Sequence, residues 1–184
     1  MSERPVLVML CGAPGAGKTT FYESKLRVVF PTILKASPSP LERAEILRER
    51  KRVQKEKRSF VYRNAIPDIG LIRDARAASF DVKVIYIGKE DPNLNIGRIL
   101  IRLSNGGAFA PLGRVAKDSE KGVKQLRKIS KQVHDLILFD NTPNGRGVRL
   151  VAHFQNGKLA RMARAVPKWA RAVVGNGIGR RSAI

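Results

Sequence analysis

The chain predicts an α/β fold with a mainly parallel, doubly wound sheet and a C-terminal β-hairpin, and three observations carry that prediction. Short, continuously apolar runs of strand length recur: "PVLVML", "VKVIYIG" and "DLILFDNT". Runs of this kind belong to strands buried on both faces, as in parallel sheets covered by helices. Segments with helical start signals and helical apolar spacing lie between them, so strand and helix alternate from residue 5 to 140. Finally, "VRLVAHFQ" and "KLARMA" are joined by Asn156-Gly157, a pair that supplies the positive φ angles of a tight two-residue turn.

The elements follow in order. After "PVLVML" and a glycine-rich turn, a helix is predicted through about Val28, then a short strand within "TILKAS". Ser39 with Pro40 opens the next helix as cap and first-turn proline. Its apolar stripe is narrow (Leu41, Ala44, Ile46, Leu47, Val53) and the rest is charged. "SFVYR" reads as a strand, and Asp68 to Ser79 as a helix with Ile69, Leu71, Ile72, Ala75 and Ala78 inward. "DPNLNIGRILIRLSN" is a helix ending before Gly106-Gly107. A loop from Gly107 to Arg114 precedes a basic helix reaching about Val133. The domain is expected to span residues 1–165, with 166–184 a basic, glycine-containing, flexible tail.

A chain of 184 residues with 43% hydrophobic residues suffices for one core. Its 36 Lys+Arg against 15 Asp+Glu give a formal charge of +21, which attracts polyanions: nucleic acid, an anionic membrane or a phosphate-bearing small molecule. The run "RERKRVQKEKR" and the tail keep nucleic acid open as a partner, although a solvated helix face accounts for that run as well. The lone cysteine, Cys11, excludes an internal disulfide and reads as a small buried apolar residue. No stretch approaches the ~20 apolar residues of a membrane span, and no signal-peptide layout is visible, so a cytoplasmic protein is expected.

Chemistry concentrates in one stretch. Gly12-Ala13-Pro14-Gly15-Ala16-Gly17-Lys18-Thr19, followed by Thr20, matches G-x-x-x-x-G-K-[ST] between a predicted strand and a predicted helix. Glycines let such a loop wrap an anion with its amide groups. Lys18 can reach the β- and γ-phosphates of ATP, and the Thr19 hydroxyl can hold Mg²⁺. The fold class sharpens to the P-loop NTPase type.

Other candidates are less specific. Arg98 and Arg102 lie four apart on one helix face before the "NGG" break, where they either clamp phosphates or face solvent. Spacing alone favours solvent. Gly106-Gly107 with Phe109, Pro111 and Gly113 reads equally as a lid or a linker. Asp140-Asn141 ends a strand and reads as a turn. His134 and His153 show no partner in sequence.

Several of these pieces fall in one order. "CGAPGAGKTTF", "KRSFVYRN", "VKVIYIGKEDPNLNIGRILIRLSNGG", "APLGRV", "HDLILFDNT" and "RLVAHFQNGKLA" together resemble the zeta toxin family of P-loop kinases over most of residues 5–160. The resemblance implies ATP-dependent phosphorylation of UDP-N-acetylglucosamine and a toxin–antitoxin setting with an antitoxin partner. It also puts Arg98 and Arg102 on the family's phosphate-clamping positions. Three departures stand beside it. The family's general-base Asp falls where this chain has Lys35-Ala36-Ser37, its "Ser-Phe-x-x-Glu-Thr" string reads Ser59-Phe60-Val61-Tyr62-Arg63-Asn64, and its lid histidine is missing from Gly106-Gly107-Ala108-Phe109-Ala110-Pro111. Arg114, Lys117 and Lys121 only loosely follow the lid arginines, and Ser37, Asp68 and Asp74 are the candidates for a base. The expected function is transfer of the ATP γ-phosphate to a hydroxyl of UDP-N-acetylglucosamine or another anionic metabolite. The alternative is a degenerate nucleotide-binding module without kinase activity.

Overall fold

β1 (Val6–Cys11) shows how the sequence builds the core. Its side chains alternate between two apolar layers, Leu7, Met9 and Cys11 in one and Val8 and Leu10 in the other. A strand buried on both faces therefore reads as an unbroken apolar run, and each such side chain contributes about 1.5–3 kcal/mol. The computed structural model describes residues 4–37, 39–91, 93–106, 112–142 and 147–175.

The elements are β1, α1 (Lys18–Phe21), β2 (Ile33–Lys35), α2 (Pro40–Lys55), β3 (Phe60–Arg63), α3 (Ile69–Ala77), β4 (Asp81–Gly88), α4 (Asn93–Ser104), α5 (Val115–Ile129), β5 (Asp135–Asp140), β6 (Arg149–Gln155), β7 (Lys158–Met162) and α6 (Lys168–Val174). The strands form one sheet in the order β2-β3-β1-β4-β5-β6-β7. The pairings from β2 to β5 are parallel and the last two antiparallel, the mainly parallel sheet with closing hairpin that the sequence predicts. Asn156 (φ 47°) and Gly157 (φ 77°) make the hairpin turn. β1 lies between β3 and β4, so connections leave it in both directions. The crevice at the carboxyl ends of β1, β3 and β4 is the place where such folds bind ligands.

Both layers are covered unequally. Val53 of α2, Leu71, Ile72 and Ala75 of α3, Leu126 and Ile129 of α5 and Ala170 and Val174 of α6 pack on one face. Phe21 and Tyr22 cover the other, with Phe21 tilted against Phe139 at a centroid distance of 5.1 Å.

Five expectations change. Ile69, expected to face inward on α3, is exposed, because it stands in the first turn beside the Asp68 cap. The helix after the glycine-rich loop is α-helical only to Phe21 and continues as a wider π-helical turn, Tyr22–Leu26. This turn keeps the Tyr22 ring in the core while its hydroxyl donates to the Phe30 and Pro31 carbonyls at 2.9 and 3.1 Å. In α2, Ser39 caps as expected, but only Val53 is buried, and Leu41, Ala44 and Leu47 are exposed. The helix leans on the sheet edge at the three-residue β2, so only its later turns meet the core. The basic helix ends at Ile129, four residues earlier than expected.

The last change concerns the tail. Residues 166–175 do not behave as one: they include α6, with Ala170 and Val174 buried, while residues 176–184 lie outside the described ones. Trp169 drives the docking. Its ring lies over Gly88, where an added Cβ would come within 2.5 Å of it, and tilts against Tyr86 at 5.6 Å. A Trp169→Ala variant is expected to lose about 2–3 kcal/mol, below the range for a fully buried aromatic because this ring is only partly covered. Urea denaturation checks this.

Candidate active site

The loop between β1 and α1 follows from its glycines. Gly12 sits at φ 141°, and a Cβ there would lie 2.4 Å from the Ile87 carbonyl oxygen of β4. Gly17 sits at φ 102°, and a Cβ there would lie 2.4 Å from the Asn141 amide. Only glycine allows both the left-handed backbone and these close approaches. The loop is then tied from both sides. The Gly12 N–H donates to the Ala65 carbonyl after β3 (3.1 Å), and Asn141 Nδ2, just past β5, donates to the Ala16 carbonyl (2.8 Å).

Gly12, Ala13 and Ala16 are buried in the back of the loop, while Pro14, Gly15, Gly17, Lys18, Thr19 and Thr20 face a cavity of about 560 Å³. α4 packs directly on the loop, where a Cβ on Gly15 would meet the Asn95 backbone at 2.5 Å. Its Arg98 and Arg102, one helical turn apart, both line the cavity, and Arg63 at the end of β3 completes it. Lys18, Arg63, Arg98 and Arg102 thus converge on one space with no carboxylate among its described lining residues. The cost of this crowding appears in the titration. Burial, with Arg102 adding to it, lowers the Arg63 guanidinium from its ordinary value. Lys18 drops to about 8, through burial above all, with Arg63 and Arg102 lowering it further against Cys11 and Asp118, which raise it. Lys18 Nζ donates to the Gly12 and Ala13 carbonyls at 2.5 and 3.0 Å. Such a concentration of cations, two of them with lowered pKa values, favours an anionic ligand in this cavity.

A pH dependence follows. Phosphates favour the charged lysine, so nucleotide binding raises the Lys18 pKa above its free value of about 8. Above that value, binding must take up a proton. ATP affinity is therefore expected to fall by up to ~10-fold per pH unit once pH exceeds 8, and to be near its maximum at pH 7. Calorimetric titration across pH 7–9.5 checks this.

Thr19 is exposed at the rim, but Arg63 Nη1 donates to its Oγ1 at 2.7 Å. The hydroxyl suits Mg²⁺, which takes few protein ligands beside phosphates and waters, once Arg63 turns off it. No cluster of three His, Cys, Asp or Glu able to hold a metal exists among the described residues.

A second cavity, of about 460 Å³, adjoins the first and shares Pro14, Lys18 and Arg63 with it. Ser37, Arg43, Asn64, Arg114 and Asp118 complete its polar lining. Of the base candidates read from sequence, Ser37 lies here, with its hydroxyl hydrogen-bonded to the Glu42 carboxylate. Asp68 caps α3 through the Leu71 N–H (2.9 Å) and pairs with Arg50 (3.4 Å). Asp74 is half exposed beside Arg73 on α3. Neither lines either cavity. Of the loosely matched lid cations, only Arg114 lines the second cavity, not Lys117 or Lys121. The lid positions Gly107, Phe109 and Pro111 lie outside the described residues.

Sequence reasoning passed over Asp118, Arg43 and the role of Asn141. Asp118 did carry a signal: Val115, Asp118, Gly122, Leu126 and Ile129 form the buried stripe of α5, and a carboxylate in that register is out of place. The two histidines do have partners. His153 Nε2 lies 2.6 Å from Asp135, and His134 Nδ1 accepts from the Val82 N–H while its Nε2 lies 3.4 Å from Asp81. His134 directly precedes β5 and His153 lies in β6 opposite Ile137, so both are near the amino-terminal end of β5, away from the loop. Asp140 is buried on Arg149 (3.1 Å) and Thr142 (2.7 Å).

Neither a protein-family model nor a curated protein matches the chain. Solved structures do. A chain of the native AvrRxo1-ORF1:-ORF2 complex superposes with a TM-score of 0.64 at 15% identity, covering 85% of this chain and 60% of that one. The same complex solved with ATP gives 0.57 at 12% identity, with the same coverage. A structure of the PezAT chromosomal toxin–antitoxin system of Streptococcus pneumoniae gives 0.57 at 14% identity, covering 76% of this chain and 68% of that one. The chain therefore spans about 60% of the length of the AvrRxo1 chain it matches. These likenesses show the fold alone: the mainly parallel α/β fold that the sequence predicts.

Proposed function

We propose that the protein is an ATP-dependent kinase that transfers the γ-phosphate to a hydroxyl of a small anionic molecule. The observation that carries this reading is the pair of adjoining cavities with Lys18 and Arg63 in their common wall. Phosphoryl transfer needs a donor site and an acceptor site meeting at the γ-phosphate, with cations where charge is spread in the transition state.

The roles follow from position. The loop amides and Lys18 hold the β- and γ-phosphates, and Arg98 and Arg102, which line the same cavity, neutralise the transferring group. The Thr19 hydroxyl would hold Mg²⁺, which would supply neutralisation of phosphate charge. Arg63, which donates to that hydroxyl, would then turn to the acceptor. The acceptor is anionic because Arg43, Arg63 and Arg114 surround the second cavity. UDP-N-acetylglucosamine, which the sequence resemblance implies, has the required diphosphate and hydroxyls. An antitoxin partner and a cytoplasmic location belong to the same reading. It is supported by the fold likeness to a complex solved with ATP and to a toxin–antitoxin system, and among the described residues no helix is long and apolar enough to cross a membrane.

The test is mass-spectrometric. Protein incubated with Mg-ATP and a metabolite extract containing UDP-N-acetylglucosamine is expected to yield a phosphorylated product that is absent with Lys18→Ala. Intact ATP binding with no product from any acceptor would favour the degenerate nucleotide-binding module instead. The contact of Arg63 with Thr19 is the observation that speaks for that second reading.

A further inference from the structure

The chain departs from the zeta toxin pattern where a base is expected, yet the second cavity contains a carboxylate. We infer that Asp118 is the catalytic base of the transfer, taking the proton of the acceptor hydroxyl. This rests on the kinase reading above.

Three observations converge on it. Asp118 is the only carboxylate among the described residues lining either cavity. It lines the second cavity together with Lys18, the cation that the two cavities share. Its burial also has no structural explanation. The side chain is 7% exposed in a stripe otherwise made of Val115, Gly122, Leu126 and Ile129. Burying a carboxylate is costly unless it is well paired. Its ion-pair partner among the described residues is Arg114 at 3.7 Å, which is 62% exposed. A pair of that length and exposure contributes little. A structural role would call for an apolar residue here, whereas a carboxylate held at the edge of a basic cavity is placed for proton transfer.

The step balances. The acceptor O–H bond breaks, its proton goes to an Asp118 Oδ, and the oxygen lone pair forms the new bond to the γ-phosphorus. The bond from the γ-phosphorus to the β,γ-bridging oxygen breaks, and its electron pair leaves with ADP. Asp118 then returns the proton to water.

The experiment compares wild type, Asp118→Asn, Asp118→Glu and Glu42→Gln. It uses Mg-ATP with a panel of phosphate-bearing alcohols that includes UDP-N-acetylglucosamine, and measures kcat, the KM for acceptor, ATP affinity and Tm. Asp118→Asn is expected to lower kcat by ~10²-fold or more while ATP affinity and Tm stay near wild type, and Asp118→Glu to recover part of the rate. Wild-type kcat in Asp118→Asn overturns the assignment while leaving the kinase reading intact. So does a rate collapse confined to Glu42→Gln, which would give the base role to the Ser37–Glu42 pair. Parallel loss of Tm and ATP affinity in Asp118→Asn, with no rate recovered in Asp118→Glu, overturns it in favour of a structural carboxylate. No turnover by the wild type on any acceptor overturns the kinase reading and Asp118's role together.

Discussion

Lys18→Ala is expected to reduce phosphoryl transfer by ~10³-fold or more in kcat/KM and to weaken ATP binding markedly. The expectation rests on what the lysine does in the free protein. Nζ is folded back on two carbonyls of its own loop, partly desolvated, with its pKa pulled to about 8. An anion beside it favours the charged form and raises that pKa. Alanine removes the cation and leaves the Gly12 and Ala13 carbonyl oxygens without its hydrogen bonds. The phosphates are negative in the ground state as well as in the transition state, so binding suffers as well as chemistry. Measuring ATP affinity by calorimetry and transfer by product formation separates the two losses. Unchanged ATP affinity in the variant would mean that the nucleotide is held elsewhere in the cavity.

Contiguous signals were legible in the sequence, and distant ones were not. β1 and its glycine-rich loop can be read because a doubly buried strand is an unbroken apolar run and the cradle needs glycine where Cβ atoms would collide. The Asn156-Gly157 turn and the Ser39 and Asp68 caps are local rules that hold in the structure. The Arg98–Arg102 spacing was legible, but the wall they face was not, because a helix surface does not state its neighbour. Arg63 on Thr19 joins residues 44 apart, and Asn141 on Ala16 joins residues 125 apart. The +21 charge drew attention to nucleic acid and to "RERKRVQKEKR" on α2, while the cations that meet around the cavity come from β3 and α4 and from the loop. α6 was read as tail because its sequence is basic and glycine follows it. Its docking depends on one aromatic ring meeting the bare backbone of Gly88, a fit that appears only when β4 is in place.

Arg98→Ala and Arg102→Ala are each expected to lower kcat by ~10²–10³-fold while changing ATP affinity far less than Lys18→Ala does. The reason is where the arginines stand. Both come from α4 and line the same cavity as Lys18. In the proposed roles they act on the transferring group, and a guanidinium there gains most when negative charge spreads over that group, which is a transition-state interaction and so appears in kcat. Lysine substitutions are expected to restore little, because a point charge cannot reproduce the two-pronged hydrogen bonding of a guanidinium. Because Arg102 also helps to lower the pKa values of Arg63 and Lys18, its removal relaxes that crowding. Arg102→Ala should therefore raise the pH at which ATP affinity begins to fall, whereas the double variant should lose less than the product of the single losses if both arginines grip one phosphoryl group. Strict multiplicativity in the double variant, with the pH midpoint of ATP binding unmoved by Arg102→Ala, would place the two arginines on separate groups.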